Sequence, residues 1–148
     1  MSHQFSVPGV FSAMDVAASG LTAERGRMNV IASNLANAQT TRGPDGTPYK
    51  RLDPVFASKP VSPDSFDAVL RNVHEVVLQG VRPDTTPGQM VYDPGHPDAN
   101  ADGYVQYPNV NVVTEMVYLM TASRAYEAGI SSIESLKSMA REAIKIGQ

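Results

Sequence analysis

The sequence predicts an α+β protein in which two long antiparallel helices, near the two ends of the chain, flank a small β-rich insert. Apolar residues recur at every seventh position in both terminal regions, and most of the eleven prolines lie between these regions. Seven-residue spacing holds one face of a helix against a partner helix, as in a coiled coil. The predicted segments are a leader at 1–10, a first helix at 11–38, a β-rich middle at 39–109 and a second helix at 110–148.

The first predicted helix carries its heptad stripe at Met14, Leu21, Met28 and Leu35. Ser12, followed three residues later by Asp15, resembles a capping box and predicts that the helix begins there. Gly20 and Gly26 lie inside the helix, and each costs about 1 kcal/mol of helix stability relative to alanine. We therefore expect a helix that is weak alone and whose glycines allow another helix to approach closely.

Four short segments of the middle region contain enough β-branched and aromatic residues to form strands. They are Tyr49–Phe56, Ala68–Val81, Gln89–Tyr92 and Gly103–Tyr107. About seventy residues is close to the smallest size that can form its own core. The insert is therefore expected to depend on the helices for support.

The second predicted helix begins after Pro108, with Asn109 or Asn111 as its cap. Its heptad stripe alternates large and small residues, which allows two helices to approach closely. The first helix ends at the insert and the second helix begins there. The two helices should therefore be antiparallel, with residue 38 level with residue 111. The a positions are Val112, Leu119, Tyr126, Ile133 and Ala140, the d positions are Glu115, Ala122, Gly129, Leu136 and Ala143, and Met116, Met120, Ile130 and Ile144 widen the stripe.

The second helix is predicted to be longer than the first, at about 55 Å against about 40 Å. Its end, Ser138–Gln148, should extend beyond the first helix. This end still carries Met139, Ile144 and Ile146. We expect another subunit or a partner protein to cover these apolar side chains.

Arg25 and Glu115 are the charged residues on the two stripes, and they allow two interpretations. Their long side chains could reach out of the contact to water. Alternatively, Arg25 could lie near Glu127 across the antiparallel pair and fix its register.

Composition excludes several classes of function. The chain has a net charge of −3 with mixed acids and bases, which gives no basic surface for nucleic acid. It has no cysteine, so disulfides and thiolate zinc sites are excluded. The sequence has no run of 18 apolar residues, so no membrane span is expected. It shows no cleavable secretory signal either.

The segment Asp98–Gly103 matches the first six positions of an EF-hand calcium loop. The twelfth position is Asn109 instead of glutamate, and Pro97 and Pro108 exclude the flanking helices. An Asx-rich turn between two strands is therefore favoured over a calcium site. His96 is treated as a turn residue in preference to a metal ligand or general base, because no second histidine stands at ligand spacing. No phosphate loop or catalytic motif is present, so neither an enzyme nor a cofactor is predicted.

Several segments resemble a known family. The run Ala32–Thr40 resembles the Asn-Leu-Ala-Asn motif of the flagellar axial proteins, the rod and hook subunits, and contains Asn34 and Asn37. Further segments are similar to the C-type proximal rod family of the bacterial flagellar basal body. These are Val91–Pro97, Asp102–Val105, Pro108–Met116, Ala122–Tyr126 and Lys137–Met139.

The resemblance implies a non-enzymatic subunit of the drive shaft, whose paired terminal helices surround the export channel. Such subunits leave the cytoplasm unfolded through the flagellar type III export apparatus, without a cleaved signal, and assemble in the periplasm. The implied partners are other copies of the chain, other rod proteins, and the membrane-ring and adaptor proteins of the basal body. The alternative from a different class is a soluble coiled-coil adaptor or export chaperone. The predicted assembly interface comprises Met14, Leu21, Met28, Asn34, Leu35, Asn37, Val112, Met116, Leu119, Tyr126, Gly129, Ile133, Leu136, Met139 and Ile144.

Overall fold

A computed structural model describes residues 7–61 and 73–146 of the chain, and side chains from 12 to 61 and from 73 to 145. The elements follow the order helix, four strands, helix. They are α1 (Val7–Ala36), β1 (Leu52–Pro60), β2 (His74–Pro83), β3 (Met90–Tyr92), β4 (Tyr104–Gln106) and α2 (Val112–Ile146). The predicted α+β class, with two long terminal helices around a β-rich middle, is confirmed.

The described residues fall into two compact units. Among these residues, the first unit draws on 7–26, 56–61, 73–79 and 122–146, and the second on Arg27–Val55 and Gly80–Thr121. Each unit thus takes residues from both helices and from the middle region.

α1 has 30 residues and begins at Val7, earlier than the predicted start. Pro8 falls in the first helical turn, where proline is tolerated because the backbone N–H has no acceptor within the helix. Ser12 therefore lies inside α1, and the expectation that it caps the helix was wrong. The predicted leader overlaps the helix from Val7 onward, and its first six residues, including His3, lie outside the described residues.

The side of α1 that the chain covers is not centred on the predicted stripe. The buried residues are Ala23, Val30, Ile31 and Asn34, whereas the predicted stripe, Met14, Leu21, Met28 and Leu35, is half-buried. Ala23 and Asn34 on the buried side are small or polar. The heptad spacing therefore marked the larger apolar side chains that lie beside them. The opposite side of the helix is exposed at Asp15, Ala18, Thr22, Arg25, Asn29, Ala32 and Ala36.

α2 has 35 residues, and Asn111 caps its start. The Asn111 Oδ1 atom accepts a hydrogen bond from the backbone N–H of Thr114 at 3.0 Å, so of the two predicted caps Asn111 is correct. The heptad stripe of α2 is confirmed as its covered side apart from Val112 and Ala143, which are exposed. Its covered members are Glu115, Leu119, Ala122, Tyr126, Gly129, Ile133, Leu136 and Ala140.

Two contacts show that the helices are antiparallel, as predicted. A Cβ atom added at Gly129 would lie 2.7 Å from Leu21 Cδ2, and the Asn34 side chain bonds Glu115. Asn34 comes after Leu21 in α1, whereas its partner Glu115 comes before Gly129 in α2. Gly129 thus gives the close approach expected of a small residue in the helix pair.

The glycines of α1 behave differently from the prediction. A Cβ atom at Gly26 would lie 2.9 Å from the side chain of Leu78 in β2, whereas nothing lies within 4 Å of Gly20. Gly26 thus makes room for a strand residue, and among the described residues no helix of the same chain approaches either glycine. Close approach of a helix from a neighbouring copy stays a prediction.

The strands form two separate two-stranded sheets, β1–β2 and β3–β4. The first pair is antiparallel: Val61 N–H donates to Val73 O at 3.0 Å, and Lys59 lies 3.5 Å from Glu75. The second pair is antiparallel, with Val91 opposite Val105. All four predicted strands exist, although the start of the second prediction, 68–72, lies outside the described residues.

The apolar core of the described residues is small. It consists of Ala23, Val30, Ile31, Val105 and Ala122. Neither described helix is long and apolar enough to span a membrane.

Candidate assembly surface

The first third of α2 is apolar on nearly every side, although its own chain covers only one side. Val113 is 71% exposed, Met116 54%, Val117 48% and Met120 56%. We call these four residues the α2 ridge. A helix that is apolar all round normally lies in a buried environment. The α2 ridge is therefore a candidate surface for contact with other proteins.

An open groove in the same unit continues the α2 ridge. Val91, Val110, Val112 and Val113 contribute its apolar lining, together with Pro87 and Pro108. Asn109 also lines this groove, and its Nδ2 atom is buried without a hydrogen-bond partner among the described residues.

Beneath the α2 ridge, Glu115 is buried and fully engaged. Its side chain is 1% exposed. Its Oε1 accepts a hydrogen bond from Arg51 Nε at 2.7 Å, and its Oε2 accepts one from Asn34 Nδ2 at 3.1 Å. We call Glu115, Arg51 and Asn34 the Glu115 clamp, because together they join α1, the residue before β1 and the first turn of α2.

Asn34 uses its whole amide within the chain. The Oδ1 atom accepts hydrogen bonds from the backbone N–H of Leu52 at 2.9 Å and from the hydroxyl of Tyr49 at 3.0 Å. The Nδ2 atom also donates to the Leu52 carbonyl at 2.9 Å. Asn34 thus pairs with the backbone of Leu52 as a neighbouring strand would, and it fixes α1 to the start of β1.

The charge of Arg51 is secured by its neighbours. Burial by itself lowers the pKa of Arg51, but hydrogen bonds and the negative charges of Glu115 and Asp53 outweigh this effect and raise the pKa above its ordinary value. Arg51 also donates to Asp53 through Nη1, and its guanidinium carbon lies 6.0 Å from the centre of the Tyr118 ring. The buried carboxylate of Glu115 therefore always faces a cation.

The two stripe charges behave differently, and the interpretation that the side chains reach water holds for Arg25 alone. Glu115 does not reach out to water, because its carboxylate is buried against Arg51. Arg25 is exposed, and no described residue, including Glu127, forms an ion pair with it. The pairing of Arg25 with Glu127 inside one chain was therefore wrong.

The structure distributes the predicted interface residues among three environments. Asn34 is buried within its own chain and so lies away from the surface. Those that are half-buried are Met14, Leu21, Met28, Leu35, Asn37, Leu119, Tyr126, Gly129, Ile133 and Leu136. Those that are exposed, and so available to a neighbour, are Val112, Met116, Met139 and Ile144.

Asn37 has a local role at the end of α1. Its Nδ2 atom donates to the Ser33 carbonyl at 2.9 Å, and its Oδ1 accepts from the Thr40 hydroxyl at 3.3 Å. The Ser33 carbonyl also accepts the backbone N–H of Asn37 at 3.1 Å, so the side chain adds a second bond to the last turn of α1. Asn37 therefore shapes the turn out of α1.

Sequence reasoning missed the partners of Glu115 in the clamp. Arg51 stands just before a strand and belongs to no heptad stripe, so no periodicity marked it. The available signal was Glu115 itself, since an acidic residue on a covered helix face requires a cation nearby. The sequence interpretations offered Glu127 as a partner for Arg25 and named no partner for Glu115.

The segment resembling a calcium loop forms the turn between β3 and β4, as favoured. Asn100 Oδ1 accepts hydrogen bonds from the backbone of Asp102 and Tyr104, and Gly103 has a φ of 80°, which suits glycine. Asp98 Oδ2 accepts from the Thr41 hydroxyl at 2.8 Å. His96 Nδ1 accepts from the Asp98 N–H at 3.1 Å, so this histidine is a turn residue. Within the described part of the chain, no group of three ligand side chains could hold a metal ion.

Comparison with known proteins identifies the family of this chain. Residues 14–44 match the family described as flagella basal body rod protein, and residues 101–146 match the family described as flagellar basal body rod FlgEFG protein C-terminal. These two matches contain the Asn-Leu-Ala-Asn motif and the whole of α2.

Curated relatives extend this similarity along the whole chain. The flagellar basal-body rod protein FlgC of Borreliella burgdorferi is 43% identical, over 95% of this chain and 99% of its own length. Its namesake in Escherichia coli O6:H1 is 42% identical over 90% of this chain and 95% of its own length. The Bacillus subtilis protein of that name is 39% identical over 93% of this chain and 98% of its own length. The chain belongs to the FlgC family of flagellar basal-body rod proteins.

Proposed function

We propose that this chain is a structural subunit of the flagellar basal-body rod, and that the α2 ridge is one of the surfaces through which it assembles. Relatives of about 40% identity over most of the chain, all named as rod proteins, support the first part. The exposed apolar side chains of Val113, Met116, Val117 and Met120 support the second. Membership of a structural family also implies that the chain is not an enzyme.

Assembly would complete the folding of the chain. The described core has five buried apolar residues, so burial within one subunit offsets only part of the entropy lost on ordering two helices of 30 and 35 residues. Contact with neighbouring copies and adjacent rod proteins would bury the α2 ridge and supply the rest. A contact between unlike faces of successive copies repeats without closing, which produces a helical shaft.

The remaining features of the proposal follow from the family. The subunit would assemble in the periplasm around the export channel, after passage through the type III export apparatus without a cleaved signal. Its neighbours would be other copies, other rod proteins and the ring and adaptor proteins of the basal body. The Glu115 clamp supports a role in transmitting torque, because it ties the first turn of α2 to α1 and β1 through directional bonds.

The alternative, a soluble adaptor or export chaperone, has no support from the relatives reported above. The two functions differ in the behaviour of the isolated chain. An adaptor would form a fully folded small oligomer at micromolar concentration, whereas a rod subunit would gain helical signal in circular dichroism when other rod proteins are added.

Complementation of a strain that lacks the gene tests the proposal. The wild-type gene should restore swimming in soft agar, and the chain should be present in purified basal bodies. Met120→Asp should abolish swimming, because a carboxylate on the α2 ridge cannot be buried in an apolar contact.

The matched control places the same charge at Ser135, which is exposed on α2 outside the ridge. Ser135→Asp should preserve swimming. Normal swimming with Met120→Asp would show that the α2 ridge is not an assembly surface. Absence of the wild-type chain from basal bodies would contradict the proposed function itself.

A further inference from the structure

One side of α1 in the first unit is exposed and built from small or charged residues. Asp15, Ala18, Thr22 and Arg25 are all exposed, and they follow one another at intervals of three and four residues. Residues at this spacing lie along one side of a helix. We call these four residues the α1 outer side.

α2 carries a matching exposed line in the same unit. Glu127, Ile130, Glu134 and Lys137 are exposed and follow the same three-and-four spacing, with Ile130 39% exposed. We call these four residues the α2 outer side. It lies apart from the covered stripe, which passes through Tyr126, Gly129, Ile133 and Leu136.

The charges on these two sides are complementary in one register. Asp15 and Arg25 are ten residues apart, and so are Glu127 and Lys137. If the two sides meet with antiparallel helices, Arg25 faces Glu127 while Asp15 faces Lys137. No other combination of an acid and a base exposed on α2 has this spacing in the required order.

The apolar and small residues agree with the same register. Thr22 then faces Ile130, so that the large exposed side chain of α2 meets a short one on α1. Ala18 faces Glu134, whose carboxylate has room to reach solvent past the alanine methyl. A bulky residue opposite a small one allows two helices to pack closely.

This complementarity is unused within a single chain. Among the described residues, no side chain forms an ion pair or hydrogen bond with the charged groups of Asp15, Arg25, Glu127 or Lys137. Within the chain the helices instead meet through other residues, such as Leu21 and Gly129. Successive copies in a shaft have the same direction, so α1 of one copy and α2 of the next are also antiparallel.

We propose that the α1 outer side of one copy packs against the α2 outer side of the next copy, with Arg25 bonded to Glu127 and Asp15 to Lys137. This contact rests on the proposed function and names the second copy as the partner of this surface. Exposed ion pairs contribute little affinity. Their role is to select the register and to reject displaced or reversed packing, in which like charges would meet.

Disulfide trapping of the full chain tests the proposed contact. The chain has no cysteine, so introduced pairs give unambiguous bonds. Thr22→Cys together with Ile130→Cys should give a ladder of covalent multimers on a non-reducing gel after mild oxidation at assembling concentration. A disulfide requires Cβ atoms about 4 Å apart, so the bond reports direct contact.

The control pair uses residues that touch within one chain. Leu21→Cys together with Gly129→Cys should give a bond inside the monomer, because these two positions are already in contact. Two outcomes would overturn the proposed contact. One is a disulfide inside the monomer of the Thr22/Ile130 variant. The other is no disulfide in that variant under conditions where the control pair forms its bond and the unaltered chain forms multimers.

Charge exchange between two variants gives a second, independent test. The Arg25→Glu variant and the Glu127→Arg variant should each fail to form multimers alone, because each copy would present like charges to the next copy. A mixture of the two variants should form multimers again, since every contact between unlike variants then joins opposite charges. Arg25→Lys should retain multimers throughout.

Only a bond between copies gives this recovery, because mixing cannot repair a pair inside one chain. Failure of the mixture, while the unaltered chain is incorporated into basal bodies, would overturn the contact and leave the rod assignment standing. Absence of the unaltered chain from basal bodies would instead contradict the rod assignment.

Discussion

Arg51 Nε donates a hydrogen bond to Glu115 Oε1 across 2.7 Å, and this bond joins the residue before β1 to the first turn of α2. Asn34 of α1 reaches the second oxygen of the same carboxylate. A charge buried in this way is held in one place by the directions of its bonds. The Glu115 clamp therefore fixes the first turn of α2, where the α2 ridge begins with Val113.

Removing the cation of the clamp should be severely destabilising. Arg51→Ala leaves a buried carboxylate with no opposite charge, which costs about 3 kcal/mol or more in comparable pairs. Because the chain has a small core, we expect its cooperative urea transition, followed by circular dichroism, to disappear. Arg51→Met combined with Glu115→Leu should restore much of the transition, since apolar residues can replace a buried pair. A single Arg51→Ala variant as stable as the wild type would contradict this role of the clamp.

A second carboxylate in the clamp should make stability depend on pH. Asn34→Asp removes the donor to Leu52 and places a second carboxylate next to Glu115, so two like charges repel each other in the folded state. Because uptake of a proton by the folded chain relieves this repulsion, the penalty is present at neutral pH and diminishes as pH falls. The urea midpoint of this variant should therefore rise between pH 7 and about 5, close to the ordinary carboxyl range. The wild-type midpoint, measured in parallel, should not rise over that interval. An equal change in both proteins would refute the prediction.

Two helical glycines should respond in opposite directions to a larger side chain. Gly129→Leu should cost about 1–3 kcal/mol of folding free energy, because even a Cβ atom there would lie 2.7 Å from Leu21. Gly20→Ala should stabilise the helix by about 0.5–1 kcal/mol, because nothing lies within 4 Å of that position. Thermal and urea unfolding of the two variants distinguish these outcomes. The assignment of Gly129 to the helix contact would be contradicted if both substitutions changed the folding free energy in the same direction.

The sequence predicted the architecture because its strongest patterns are local. Heptad spacing marked the covered side of α2 from Leu119 to Ala140, and turn residues separated the four strands. The start of α1 was misplaced because Ser12 and Asp15 look like a cap, whereas Pro8 allows the helix to begin earlier.

The clamp and the exposed surfaces were harder to predict. Arg51 and Glu115 are far apart in sequence, so their contact depends on how the strands are placed against the helices. Heptad spacing shows which residues share a side of a helix but not which side the chain itself covers. The sequence therefore did not single out Val113, Val117 and Met120 as exposed.

The central claim is that the α2 ridge is exposed in the free chain and covered in the rod. Met120→Cys provides the direct measurement, because the chain contains no other thiol. Its rate of reaction with a maleimide is compared in the purified chain and in intact basal bodies that carry the variant, with Asp45→Cys on an exposed turn as the control. We predict fast labelling of Met120→Cys in the free chain and strong protection in basal bodies, while Asp45→Cys is labelled in both. Equally fast labelling of Met120→Cys in assembled basal bodies would contradict the account.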